Sequence, residues 1–190
     1  YGIVHPGEQW ASDRNLRLSP MHARHQALDA AFFEAAGWER PQWFESNAGL
    51  VEEYGVEGRP AEWDARWWSP IINAEHLAMR ERAAMFDLTA FCIFDVTGPG
   101  ALETVQTVSM RQMDVANGKV VYTPVLSPSG TFKSDLTVMR LGDEQFRVVT
   151  GGAHGMADLK WYADHVPADG SAQVTDLTSA WTTLGLWGPR

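Results

Sequence analysis

The most constraining feature of this sequence is a run of three alternating stretches separated by two tight reversals. Residues 119–126, 131–141 and 145–150 alternate apolar with polar side chains, the pattern of half-buried strands. Between the first two lies Ser127-Pro128-Ser129-Gly130, with proline second and glycine last, as a type I turn prefers. Gly142-Asp143-Glu144 provides the next reversal. Strands joined this closely pair as hairpins, so the chain is built around an antiparallel meander.

The flanking sequence supplies helices. Ser19-Pro20 opens a predicted helix reaching Ala36, with Ser19 as N-cap, Pro20 in the first position and Gly37 as terminator. Residues 37–44 read as an aromatic turn, and residues 45–66, with six acids and two bases, as an exposed connector. Asn73 to Met85 has the apolar stripe of a second helix, with Asn73 as its cap. A strand at 91–97, helices at 100–108 and 153–165, and strands at 172–178 and 181–187 complete the reading. Helices and hairpins segregate, so the class is α+β with a mainly antiparallel sheet and flanking helices.

Composition narrows the function. The 190 residues are 45% hydrophobic and carry a formal charge of −9. That balance argues against a nucleic-acid surface, which needs clustered Lys and Arg. No apolar run approaches the roughly 20 residues of a membrane helix. Cys92 is the single cysteine, which excludes an internal disulfide and fits a reducing compartment. The sequence opens at Tyr1 without a methionine and stops at the turn Gly188-Pro189-Arg190, and we read it as a piece of a longer polypeptide.

His22 and His25 share a predicted helix face, but no third ligand is near in sequence, so no metal is assigned. Gly151-Gly152-Ala153-His154-Gly155 lacks the Lys-Ser/Thr pair of a phosphate loop and reads as a strand-to-helix turn. Cys92 lies in an apolar strand, where packing is the expected role. Asp135 is more informative. Alternation puts Lys133, Asp135, Thr137 and Met139 on one strand face and Phe132, Leu136 and Val138 on the other. An acid in mid-strand is disfavoured, so its face is either wet or used for binding. Tyr122 lies in the neighbouring strand. A carboxylate beside an aromatic ring suits a flat, nitrogen-rich heterocycle.

Seven short stretches between residues 75 and 165 recur in order at one family's spacing. They include Glu75-His76-Leu77-Ala78-Met79-Arg80, Met85-Phe86-Asp87-Leu88-Thr89, Val121-Tyr122-Thr123-Pro124-Val125-Leu126, Ser134-Asp135-Leu136-Thr137-Val138 and Asp158-Leu159-Lys160-Trp161. Here the chain resembles the folate-binding aminomethyltransferases, the glycine-cleavage T protein and its relatives. Residues 13–20 and 37–44 resemble the linker between flavin and folate modules in the dimethylglycine and sarcosine dehydrogenase/oxidase family.

The resemblance implies three segments: 1–47, the tail of a flavin-module linker; 48–70, an acidic connector; and 71–190, the first part of a folate-binding domain. It implies a tetrahydrofolate-dependent one-carbon acceptor module of a flavin N-demethylase, making 5,10-methylenetetrahydrofolate, with FAD in a separate N-terminal module. A T-protein-like aminomethyltransferase, a folate-dependent O- or S-demethylase, and a non-catalytic assembly module are the alternatives. Asp135 takes the place of the family's catalytic acid. Tyr122, Thr137 and Thr150 take cofactor-binding places, although Thr150 stands where relatives commonly carry Asn, and Ser134 where they often carry an acid. The partners implied are an N-methyl amine and folate, in bacterial cytoplasm or the mitochondrial matrix. The isolated piece is expected to be inactive.

Overall fold

A computed structural model describes residues 3–60 and 62–189. Tyr1 and Arg190, which figure in the reading of the chain ends, lie outside the described residues. The chain divides into two compact units. One comprises the residues up to Thr89 together with those from Thr182 onward, and the other is Ala90–Trp181.

The first unit begins with α1 (His22–Ala27), β1 (Ala30–Ala35) and β2 (Trp38–Phe44). The long helix expected from Pro20 to Ala36 is therefore a short helix followed by a strand. Ser19 and Pro20, expected as its cap and first residue, precede it: the Ser19 hydroxyl accepts the Met21 N–H at 3.0 Å, and the helix begins at His22 with Met21 in the capping position and no side-chain cap. Asp29, at φ 52°, then leaves the helix. Ala36 and Gly37, at φ 54° and 82°, make a two-residue reversal with both φ positive, as in a type I′ turn. Ala30–Ala35 pairs antiparallel with Trp38–Phe44, so the expected aromatic turn is itself a strand. Ala-Ala-Phe-Phe-Glu-Ala has local helix propensity, and strand pairing overrides it.

Next come α2 (Gly49–Glu53), a 3₁₀ turn at Trp63–Ala65, α3 (Ile71–Glu81) and β3 (Ala84–Asp87). Residues 48–70 thus carry helical turns inside the first unit. The helix expected from Asn73 starts earlier, where the Ser69 hydroxyl accepts the Ile71 N–H at 3.3 Å, and ends at Glu81. Ala84 and Met85, expected at its end, instead pair with Trp187 and Leu186 of the chain's last strand, Leu184–Trp187.

The second unit contains β4 (Cys92–Thr97), α4 (Ala101–Val108), β5 (Val120–Leu126), β6 (Phe132–Gly142), β7 (Gln145–Thr150), α5 (Gly155–Ala163) and β8 (Gln173–Asp176). They form one antiparallel sheet in the order β5-β6-β7-β4-β8. One face meets α4 and α5. Phe94 and Val96, Leu136 and Val138, and Phe146 and Val148 enter there and join Val105 and Tyr162 in a buried apolar cluster. The α+β class with a mainly antiparallel sheet is the class read from the sequence.

β6 departs from simple alternation at its start. Val125 pairs with Ser134 but Leu126 pairs with Phe132, so Lys133 is the extra residue of a bulge. Lys133 therefore does not share a face with Asp135. Its ammonium lies 4.2 Å from the Trp161 ring centre, on α5. Phe132, placed by alternation on the face of Leu136 and Val138, is 66% exposed.

Candidate functional site

The sheet face turned away from α4 and α5 carries two rows of side chains, because paired residues in adjacent strands point the same way. The first row is Tyr122, Thr137, Val149 and Ile93, on β5, β6, β7 and β4. The second is Met139, Arg147, Asp95 and Thr175, on β6, β7, β4 and β8.

Asp135 flanks the first row. It sits on β6 opposite Pro124, one diagonal step from Tyr122, whose phenol donates a short hydrogen bond to the Asp135 carboxylate. Tyr122 is 60% exposed and Asp135 is exposed as well. The hydrogen bond to Asp135 leads the causes that push the Tyr122 phenol above the ordinary range. Thr137 lies directly opposite Tyr122 and is half-buried. Sequence reasoning had placed these three residues together, and the structure brings them together on one accessible face.

Thr150 is elsewhere. It alternates with Phe146 and Val148, and so points to the opposite face, where it is buried. Its hydroxyl donates to Asp158 Oδ2 at 2.6 Å, and the Ser134 hydroxyl donates to the same oxygen at 2.8 Å. Ser134 and Thr150 thus share one carboxylate oxygen. No local pattern in the sequence marks Asp158, because its two donors come from different strands, β6 and β7.

Sequence reasoning also missed Asp95 and Arg147. Arg147 donates from Nε and Nη2 to Asp95 at 2.8 and 3.0 Å, and Gln145 adds a third bond at 3.1 Å. The Asp95 hydrogen bond raises the Arg147 pKa further. Trp181 lies under the guanidinium, 4.3 Å from its carbon. This is a neutralised, largely buried pair, which keeps a carboxylate on the sheet without offering it to a ligand.

Gly152 lies in the glycine-rich turn after β7. A Cβ on Gly152 would lie 2.2 Å from the Ala90 carbonyl oxygen, so close packing accounts for that glycine. His22 and His25 do lie near one another, both against Phe32, at 4.6 and 6.4 Å between ring centres. His25 reaches Asp87 at 3.7 Å. Among the described residues no group of three or more His, Cys, Asp or Glu side chains is placed to hold a metal ion.

Residues 21–190 match the model of the GCVT N-terminal domain. The chain belongs to that family. The GCVT N-terminal domain here is 34% identical to 4-methylaminobutanoate oxidase (formaldehyde-forming) of Paenarthrobacter nicotinovorans, over 100% of this chain and 22% of that protein. It is 28% identical to the mitochondrial pyruvate dehydrogenase phosphatase regulatory subunit of Mus musculus, again over 100% of this chain and 22% of the other. Dimethylglycine and sarcosine dehydrogenases and aminomethyltransferases are further relatives. The crystal structure of glycine cleavage system aminomethyltransferase T from Bartonella henselae matches with a TM-score of 0.71 at 24% identity, over 93% of this chain and 42% of that one. The fold is therefore that of the T protein. The chain spans about a fifth of the length of the first two relatives. Domains of this kind occur in dimethylglycine and sarcosine dehydrogenases and in aminomethyltransferases.

Proposed function

We propose that this domain binds tetrahydrofolate on the face carrying Tyr122, Asp135 and Thr137. There it accepts the one-carbon unit released when a flavin-bearing part of a longer protein oxidises dimethylglycine or sarcosine. The product is 5,10-methylenetetrahydrofolate. The observation that carries this reading is the exposed Tyr122–Asp135 pair, a carboxylate held in place by a phenol on an accessible sheet face. The substrate class has separate support: the names of three relatives specify methylaminobutanoate, dimethylglycine and sarcosine, all N-methyl amino acids.

The chain's own residues suit the task. Tetrahydrofolate, when bound, supplies a nucleophilic ring nitrogen. Asp135 can accept a hydrogen bond from that N–H, stabilise positive charge developing beside it and take its proton. Tyr122 orients the carboxylate and offers a ring face for stacking. Thr137 adds a hydroxyl that can donate or accept. FAD would be held outside these residues.

Asp135→Asn in the full enzyme tests the reading. Amine oxidation should be spared, while methylenetetrahydrofolate formation falls and free formaldehyde rises. The general-base share alone is worth roughly 10²–10⁴-fold. Equal folate product in variant and parent would remove Asp135 from the reaction. A second reading, a non-catalytic assembly module, is favoured by the relative named as a regulatory subunit. Calorimetric titration with tetrahydrofolate separates the two, because an assembly module gives no binding heat.

A further inference from the structure

We infer that Asp158 is a positioning residue: by holding Ser134 and Thr150 it sets the local register of β6 that turns Asp135 outward to Tyr122. The inference rests on reading Asp135 as the acting carboxylate, and it follows from where the bulge lies. The extra residue, Lys133, immediately precedes Ser134. A bulge leaves one residue out of the ladder, and moving it by one position reverses which side the next side chain takes. From Leu136 onward the strand is pinned by apolar burial, with Leu136 and Val138 in the core cluster. Ser134 and Asp135 lie between the bulge and that anchor. Alternation back from Leu136 turns Asp135 outward only while the bulge stays at Lys133, and neither Ser134 nor Asp135 has an apolar side chain, so apolar burial does not decide where the bulge sits.

Hydrogen bonding decides it. Ser134 is buried and donates to Asp158 Oδ2 at 2.8 Å. Asp158 is equally buried and lies near the start of α5, four residues before the wholly buried Tyr162. The helix therefore presents the carboxylate from a fixed support. Thr150 donates to the same oxygen at 2.6 Å from the end of β7 and so ties a second strand to it. With Ser134 held inward, its neighbour Asp135 must point outward. Turning Ser134 away would leave a buried carboxylate short of a donor, which costs more than an ordinary lost hydrogen bond.

The Tyr122 phenol reports the outcome without any folate. It titrates above the ordinary phenol value because Asp135 accepts a hydrogen bond from the protonated phenol and so favours that form. The full chain is labelled with tyrosine carrying ¹³C at ζ, and Tyr122 is assigned by comparison with Tyr122→Phe. Each variant is titrated by NMR, with circular dichroism as the check on folding. Ser134→Ala cuts the tie beside Asp135 and leaves Thr150 on Asp158. The expected result is a folded chain in which Tyr122 titration falls back toward the ordinary phenol value. Ser134→Thr restores the hydroxyl and should restore the raised titration. A folded Ser134→Ala with unchanged Tyr122 titration overturns the inference, as does a Ser134→Thr that behaves like alanine. Should Ser134→Ala fail to fold, Asp158→Asn decides. It keeps a weaker acceptor of the same shape, so a partial fall supports the inference and no change overturns it. Failure of the parent to bind tetrahydrofolate would remove the proposed function and leave this result standing.

Discussion

The second unit surrounds one continuous apolar cluster, from Phe94 and Val96 through Leu136 and Val138 to Phe146, Val148 and Tyr162. The first unit has no counterpart to it. Trp38, Ile71 and Ala74 are its buried apolar residues among those described, while Met85 and Leu186 are 66% and 76% exposed. Polar clasps hold it instead. Arg14 donates twice to Glu39, at 2.7 and 2.6 Å, and the Asn15 N–H adds a bond at 2.8 Å. Glu75 accepts the Phe44 N–H at 3.0 Å and the Asn47 amide at 2.8 Å. Asp87 takes the Ser19 hydroxyl and the Thr89 N–H. An apolar core is insensitive to pH and salt, whereas carboxylate clasps are sensitive to both, so the two units should yield to different perturbations.

The largest effect should come from emptying the core of the second unit. Phe146 is wholly buried, and Phe146→Ala should cost about 3–5 kcal/mol in denaturant unfolding. Met85→Ala in the first unit should cost no more than about 0.5 kcal/mol, because its side chain is already in water. A similar loss from both substitutions would mean that the first unit also rests on apolar packing.

The same contrast governs how much of the fold could be read from the sequence. The β5–β6 hairpin was legible because Ser127-Pro128-Ser129-Gly130 marks the turn and apolar alternation marks the strands that feed the core. The β1–β2 hairpin was not. Its reversal uses Ala36 at positive φ, for which alanine gives no signal, and its strands lie in no apolar core that would impose alternation. At the site, Asp135, Tyr122 and Thr137 followed from the hairpin. Thr150 was misjoined to them, although its alternation with Phe146 and Val148 already assigned it to the core side. The Asp95–Arg147 pair and the Asp158 clasp needed the pairing of distant strands, which no local pattern encodes.

A smaller effect should follow from opening one clasp. Arg14→Ala leaves the Glu39 carboxylate, 2% exposed, with the Asn15 N–H as its remaining donor. The expected loss is about 1–2 kcal/mol, below that of a fully buried pair because a quarter of the Arg14 side chain is in water. Hydrogen exchange should locate it in residues 14–44. Protection lost instead within residues 92–150 would contradict the division into units.

Acid should loosen the first unit by less than outright removal of Arg14, since a protonated carboxyl still accepts hydrogen bonds. The Arg14 hydrogen bonds hold Glu39 below the ordinary carboxylate value. Burial pushes Asp87 upward, but Ser19, Thr89 and His25 outweigh it and bring it below its usual value too. Groups lowered in the folded state stabilise it above the unfolded value, about 4, and that contribution is lost as pH falls through the folded values. Burial keeps His25 below its ordinary value despite Asp87, so the unfolded chain gains a proton first and stability begins to decline from about pH 6.5 downward. Exchange protection in residues 14–87 should therefore fall between pH 6.5 and 3 while that of β4, β6 and β7 persists. Parallel loss in both units would break the comparison.

The smallest effect belongs to the proposed site itself. Asp135 is an exposed acid on a strand whose burial is carried by Leu136 and Val138, and its partner Tyr122 is also exposed. Asp135→Asn keeps the shape and an acceptor for the phenol, so unfolding should change by no more than about 0.5 kcal/mol. That near-neutrality gives the functional test its meaning, because a fall in folate product could then not be charged to a damaged sheet. A chain in which Asp135→Asn unfolds as readily as Phe146→Ala would show the carboxylate to be part of the scaffold, and its place in the chemistry would have to be given up.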